Sequence, residues 1–144
     1  MTTTNFGDVG DFHRQFDLHA SDEGPGPVLD MQDEATMDLL GFREKFLSEE
    51  LDEFTEGLDE LDHAKMFDAL LDLVYVAMGT AHLLGYPWQE GWEAVQAANM
   101  SKVRASKDGS DSKRGSSFDV VKPLDFQPPD IAKVLERHGF ENTQ

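Results

Sequence analysis

Five carboxylates in one short stretch of this 144-residue chain have the spacing to work together. Glu49, Glu50 and Glu53 lie within about one helical turn, and Asp68 and Asp72 sit one turn apart further on. The segment from Phe46 to Asp72, FLSEELDEFTEGLDELDHAKMFDALLD, reads as the end of one helix, a tight turn and the start of a second. Packed as an antiparallel hairpin, it would bring the five acids face to face. Such a cluster repels itself unless a cation sits in it, and ligands that are all oxygen suit Mg²⁺ or Mn²⁺. From the pattern, Glu50, Glu53 and Asp72 are the best ligand candidates, with Glu49 and Asp68 next. The bland alternative is that acidic runs are solvated helix faces, which suits Asp52, Glu56, Asp59 and Glu60. A cap, a salt bridge or a buried hydrogen bond would equally hold Glu50 and Asp72.

A second group has the opposite sign. Lys102, Arg104, Lys107, Lys113, Arg114 and Lys122 are the only basic concentration in a chain of formal net charge −17. With Asn99, on the same helical line as Lys102, they could hold an anion such as phosphate opposite a bound cation. Lys102 near a helix C-terminus also complements the helix dipole, and that alone would account for it. Phe12, Phe16, Trp88 and Trp92 could stack on a base, although aromatics at helical spacing are usually core. His13, His63, His82 and His138 lack the spacing of a zinc site and read as structural or exposed. No phosphate-binding loop and no dinucleotide-binding glycine pattern is present, so any nucleotide is held another way.

These residues need helices to position them. Val9, Phe12 and Phe16 predict a short helix from about Asp8 to Leu18, and Gly24-Pro25-Gly26-Pro27 then breaks His19 to Leu29 into a loop. Asp33 can cap a long helix from roughly Glu34 to Leu61, whose stripe is Leu40, Leu47, Leu51, Phe54, Leu58 and Leu61. Glu50 falls at the edge of that stripe and Glu53 a little further round, so these two are expected to be partly buried, while Glu49 points away. Gly57 weakens the helix without ending it.

A third helix, capped by Asp62 and ended by Gly85, is apolar on almost every side and is expected to be central. Asp72 in such surroundings needs a metal, a cation or several donors. The fourth helix runs from about Pro87 to Val103, with Trp88, Trp92 and Val95 as its inner face and Asn99 and Lys102 finishing the line. Arg104 to Gly115 reads as a flexible loop. An extended Pro-containing segment and a short helix opened by Asp130 complete the chain. The expected fold is all-α, one domain over 1–144, a helical bundle of about four main helices with short terminal ones.

Composition narrows the function classes. The strong negative charge argues against a broad basic face for nucleic acid. Without cysteine there is no disulfide, thiolate metal site or thiol nucleophile. The apolar run from Leu70 to Leu84 is interrupted by Asp72, Gly79, Thr80 and His82, which makes it a core helix and not a membrane span. The opening MTTTNFGDVG lacks the basic start and apolar core of a signal peptide, so a soluble, cytoplasmic protein is expected.

Three blocks together resemble one family: EELDE at Glu49 to Glu53, DALLDLVYVAMGTAHLLGYP from Asp68, and ANMSK ending at Lys102. They are similar, in order and spacing, to the all-α nucleoside triphosphate pyrophosphohydrolases of the MazG-like type, whose first acidic motif is EExxE. The ending KPLDFQPPDIAKVL looks like the tail of compact, often phage-encoded members, including the deoxypurine triphosphate diphosphohydrolases called MazZ; a phage origin would place the protein in a host cytoplasm. One departure is that the family's second motif is commonly ExxD, whereas the position three before Asp72 is Ala69; Asp68 is the candidate substitute.

The resemblance implies a Mg²⁺-dependent enzyme that cleaves a (d)NTP to monophosphate and pyrophosphate, with a purine such as dGTP or dATP as the sharper expectation. It implies Glu50, Glu53 and Asp72 as metal ligands, and Glu49 as holder of a second ion or orienter of the attacking water. Asn99 and Lys102 would contact sugar or phosphate, with Arg104 and Lys122 of the basic stretch and Phe12 and Phe16 as further substrate-binding candidates. A homodimer or homotetramer is implied as well, which fits helices too apolar for four short neighbours to cover. The rival readings are a house-cleaning pyrophosphohydrolase for dUTP or damaged nucleotides, and a non-enzymatic acidic mimic of DNA.

Overall fold

The computed structural model describes residues 4–18 and 30–140, so the expected loop from His19 to Leu29 lies outside the described residues. The elements are α1 (Asn5–Gln15), α2 (Glu34–Asp59), α3 (His63–Leu84), α4 (Trp88–Met100) and α5 (Ile131–Arg137), with a small ribbon of β1 (Val103–Arg104) and β2 (Val120–Val121). The class is all-α, as expected. Contacts divide the chain into two compact units, Met1–Tyr86 and Pro87–Gln144.

In the first unit α1 begins three residues earlier than the spacing of Val9, Phe12 and Phe16 predicts. Thr4 caps it, its hydroxyl accepting from Gly7 N at 3.0 Å, and that local hydrogen bond carries no apolar signature. Asp33 caps α2 and Asp62 caps α3, as their positions predict, each accepting an N–H from three residues on. Helix α2 stops at Asp59, short of Leu61, because Leu61 adopts a left-handed φ of 55° and the chain reverses there. Gly85, with φ 69°, closes α3.

Helices α2 and α3 form the antiparallel hairpin. Its seam is not the leucine stripe. The buried residues of α2 are Thr36, Arg43, Glu50 and Gly57, one every seven residues, so a single line of polar and small side chains faces α3. Leu40, Leu47 and Phe54 flank that line half-buried, whereas Leu51, Leu58 and Leu61 are exposed. The expected inward stripe is therefore displaced by about one side chain. On α3 the buried line includes Ala69, Val76 and Leu83, while Phe67 (63% exposed), Leu70, Leu71 (53%) and Val74 are open. The third helix is thus covered all round over its second half, Val76 to Leu84, as expected of a central helix, and along one face only over its first half. It is long and apolar enough, by length and composition, to cross a membrane. Here it carries Asp68 and Asp72 and accepts an arginine from α2 on its backbone.

In the second unit α4 ends at Met100, and its Trp92 and Val95 are exposed, contrary to the inner face expected of them; Ala98 is the buried residue. Trp88 and Trp92 stack with ring centroids 6.3 Å apart. Glu90 ties α5 to α4, accepting from Arg137 Nη2 at 2.6 Å and pairing with His138 Nε2 at 2.5 Å. Those two partners, His138 first, hold the Glu90 carboxyl below its usual range. Asp130 opens α5 as predicted, accepting from Lys133 N.

The stretch read as a loop connects two short antiparallel strands, which pair Val103 with Val121 and Arg104 with Val120. Its Ser and Asp residues make a turn network. Asp108 accepts from the Ser106 hydroxyl at 2.7 Å and Ser110 N at 3.0 Å, and Asp111 accepts from Ser106 N at 2.8 Å. Asp119 accepts from the Ser112 hydroxyl and from Arg114 Nη1.

Candidate functional site

Glu50 is the buried member of the acidic cluster. It is 8% exposed, and its Oε2 has no hydrogen-bond partner among the described residues. Burial pushes its carboxyl above the ordinary range, and Glu53, Asp72, Glu49 and Asp68, in that order, push it further. The hairpin therefore does bring the five acids into one electrostatic neighbourhood. Only Glu50 is buried: Glu49, Glu53, Asp68 and Asp72 are exposed. The burial expected for Glu53 and Asp72 is corrected by the seam, which points Glu50 at α3 and leaves its neighbours at the rim. Ala69, where the resemblance would place an acid, is 1% exposed and packs in the interior, so the carboxylate on that turn is the exposed Asp68. Among the described residues no three His, Asp or Glu side chains are gathered as a ready-made metal shell.

One turn pair away, Arg43 occupies the same seam and is 7% exposed. Its Nε donates to Thr80 Oγ1 at 3.0 Å, its Nη2 donates to the Val76 carbonyl at 2.8 Å, and its guanidinium lies 5.4 Å from the centre of the Phe46 ring. Burial lowers its pKa. The close approach depends on Gly79: a Cβ there would stand 2.7 Å from Arg43 Nη2 and 2.6 Å from His13 Nε2. The arrangement is reciprocal, because His82 of α3 packs on Gly10 of α1, where a Cβ would stand 2.8 Å from its ring. His82 Nε2 also bonds the Phe6 carbonyl at 2.7 Å, and its ring stacks on Phe6 at 3.7 Å. His13 and His82 are buried, not exposed.

Between α1, α2 and α3 lies a cavity of about 350 Å³. Glu50 and Asp72 supply its carboxylates, Arg43 its cation and His13 an imidazole, while Phe12, Phe46, Tyr75 and Val76 supply apolar wall. Phe12 meets Tyr75 edge-to-face at 5.4 Å and packs against Phe16 at 4.8 Å. Both phenylalanines are largely exposed, so they are not the core pair that helical spacing favours. Phe12 lines the cavity; Phe16 supports it from behind.

The basic candidates belong to the second unit. Lys102 Nζ donates to Asn99 Oδ1 at 2.9 Å, so the two share one contact as their spacing predicts. Lys102 and Lys122 both approach the Phe126 ring, at 5.9 and 5.2 Å. They border a hollow of about 410 Å³ together with Lys113 and Arg114, whereas Arg104 lies outside that lining.

The profile of the phosphoribosyl-ATP pyrophosphohydrolase (PRA-PH) family matches residues 9–99, which span the whole hairpin and both motif blocks on it. The chain belongs to this family. It is thereby an all-α, MazG-like nucleotide pyrophosphohydrolase, a hydrolase of phosphoanhydride bonds. A comparison with curated proteins finds no match. For a PRA-PH member the residue that sequence reading missed is Arg43. A charged side chain gives no apolar signal; the signal that was present is the heptad Thr36, Arg43, Glu50, Gly57, visible only if a polar line is allowed to be the inner one.

Proposed function

We propose that the protein cleaves a deoxynucleoside triphosphate between its α and β phosphates, in a Mg²⁺-dependent reaction that releases the monophosphate and pyrophosphate, with dGTP and dATP as leading substrates. The observation that carries this is the Glu50 carboxyl: buried, left with one oxygen unpartnered among the described residues, and crowded by four further acids. A site that costs stability in this way is built for a cation. The donor set is all oxygen, which fits Mg²⁺ or Mn²⁺. Glu50, Glu53 and Asp72 would hold the ion, with Asp68 beside them, and Glu49 would orient the attacking water. When bound, Mg²⁺ supplies charge neutralisation at the phosphates and a lower pKa for water. Lys102, steadied by Asn99, with Lys122 and Arg104 are the candidates in the second unit for sugar and phosphate oxygens, and Phe12, backed by Phe16, is the candidate in the first for the base. The exposed apolar face of α3 supports assembly as a homodimer or homotetramer.

Incubation with each common dNTP, dUTP, modified dNTPs and phosphoribosyl-ATP, with products separated chromatographically, tests the reading. Monophosphate plus pyrophosphate from a purine dNTP is expected; inorganic phosphate plus diphosphate, or no turnover, rejects it. Glu53→Gln and Asp72→Asn should each lower kcat at least about a thousandfold. Because both side chains are exposed, their effect on stability should stay within about 0.5 kcal/mol by urea unfolding. Wild-type rates in either variant would remove it from the metal site.

A further inference from the structure

We propose that Arg43 reads the base of the nucleotide, and that the cavity it lines selects a purine with a ring carbonyl beside a ring nitrogen acceptor, as in guanine. The inference rests on the nucleotide reading above and adds the residue that sets base choice.

Arg43 is a buried cation that makes no ion pair among the described residues. A guanidinium carries five N–H groups, and two are committed here, one to the Thr80 hydroxyl and one to the Val76 carbonyl. Those bonds fix the plane of the fork while leaving Nη1 and one Nη2 proton to be satisfied. Nη1 is not among the described atoms that are buried without a partner, so it is open to the cavity beside it, where an acceptor on a ligand can reach it. Its volume, about 350 Å³, lies in the range of small-ligand sites.

The chemistry of the walls decides what the acceptor is. Phe12, Phe46, Tyr75 and Val76 favour a flat apolar ring. Glu50 and Asp72 would hold the ion, so the apolar walls and Arg43 are what a neutral base meets in the rest of the cavity. A planar fork held in place suits two acceptors side by side, the O6 and N7 edge of guanine, whereas adenine offers a donor where O6 would be. Gly79 is part of the device, since its bare backbone is what lets the fork sit against α3. The competing explanation, that Arg43 only staples α2 to α3, predicts effects blind to the base.

The wild-type protein with Mg²⁺ is given dGTP, dITP, 7-deaza-dGTP and dATP. Similar kcat/KM for dGTP and dITP is expected, with values lower by about tenfold for 7-deaza-dGTP and by about tenfold or more for dATP, the scale of one bidentate arginine contact. Arg43→Lys and Arg43→Gln, checked by circular dichroism, should bring the dGTP-to-dATP ratio within about threefold of one. Equal treatment of the four substrates by the wild type, or loss of all of them by one common factor in folded variants, overturns base reading and leaves a staple. Should the variants not fold, the wild-type series decides. Calorimetric titration of metal-free protein with guanosine and adenosine separates this inference from the reaction itself. If no triphosphate is turned over, tighter guanosine binding still supports Arg43, and equal or absent binding overturns it.

Discussion

Glu50 shows how one residue trades stability for a site. Its carboxyl is held above the ordinary range by burial and by four neighbouring acids, so at neutral pH its ionised form costs folding free energy. Glu50→Gln keeps the shape and removes the charge. In metal-free buffer at pH 7 this variant should be more stable than wild type by on the order of 1 kcal/mol in urea unfolding, while losing turnover. Equal or lower stability would mean that the acids do not strain the fold. Arg43 is the counterpart on the same seam: it is buried, makes no ion pair among the described residues, and donates to the Val76 carbonyl and the Thr80 hydroxyl.

Among the elements, the ribbon and its turns show what a Ser, Gly and Asp rich loop is built from. The residues that mark it as a loop also make the side-chain to backbone bonds that its turns require. Asp108 is lowered to about 2 by the Ser106 hydroxyl first and then by Ser110, and Asp111 and Asp119 are lowered as well. A lowered carboxyl stabilises the folded turn above its unfolded pKa, about 4, and that contribution is lost as pH falls toward 2. The Ser110 amide, which bonds Asp108, should therefore titrate by NMR with a midpoint near 2, and Asp108→Asn should abolish the transition. A midpoint near 4 would show that the turn is not formed in solution.

For the whole molecule, the apolar residues left open on α3 are the decisive feature. Phe67, Leu70, Leu71 and Val74 recur at helical spacing and expose a stripe that a solitary chain would be expected to cover. Sedimentation should give a mass of two or four chains, and Val74→Asp should weaken association at least about tenfold, as for a charge placed in an interface core. A monomeric wild type would reject assembly through this face.

The sequence by itself determined the helical class, the caps at Asp33, Asp62 and Asp130, the hairpin and the family, because periodicity, short polar caps and motif spacing are local properties of the chain. It also placed the acids within one neighbourhood, since helical geometry carries Glu50 and Asp72 together once the hairpin closes. Only the tertiary structure decided which residues face inward. Hydrophobicity nominated the leucines of α2, but packing against α3 chose Thr36, Arg43, Glu50 and Gly57, because Gly79 leaves room for the Arg43 guanidinium while the Val76 carbonyl and the Thr80 hydroxyl accept from it. That choice buried Glu50, left Glu53 and Asp72 at the rim, and brought Arg43 to the cavity.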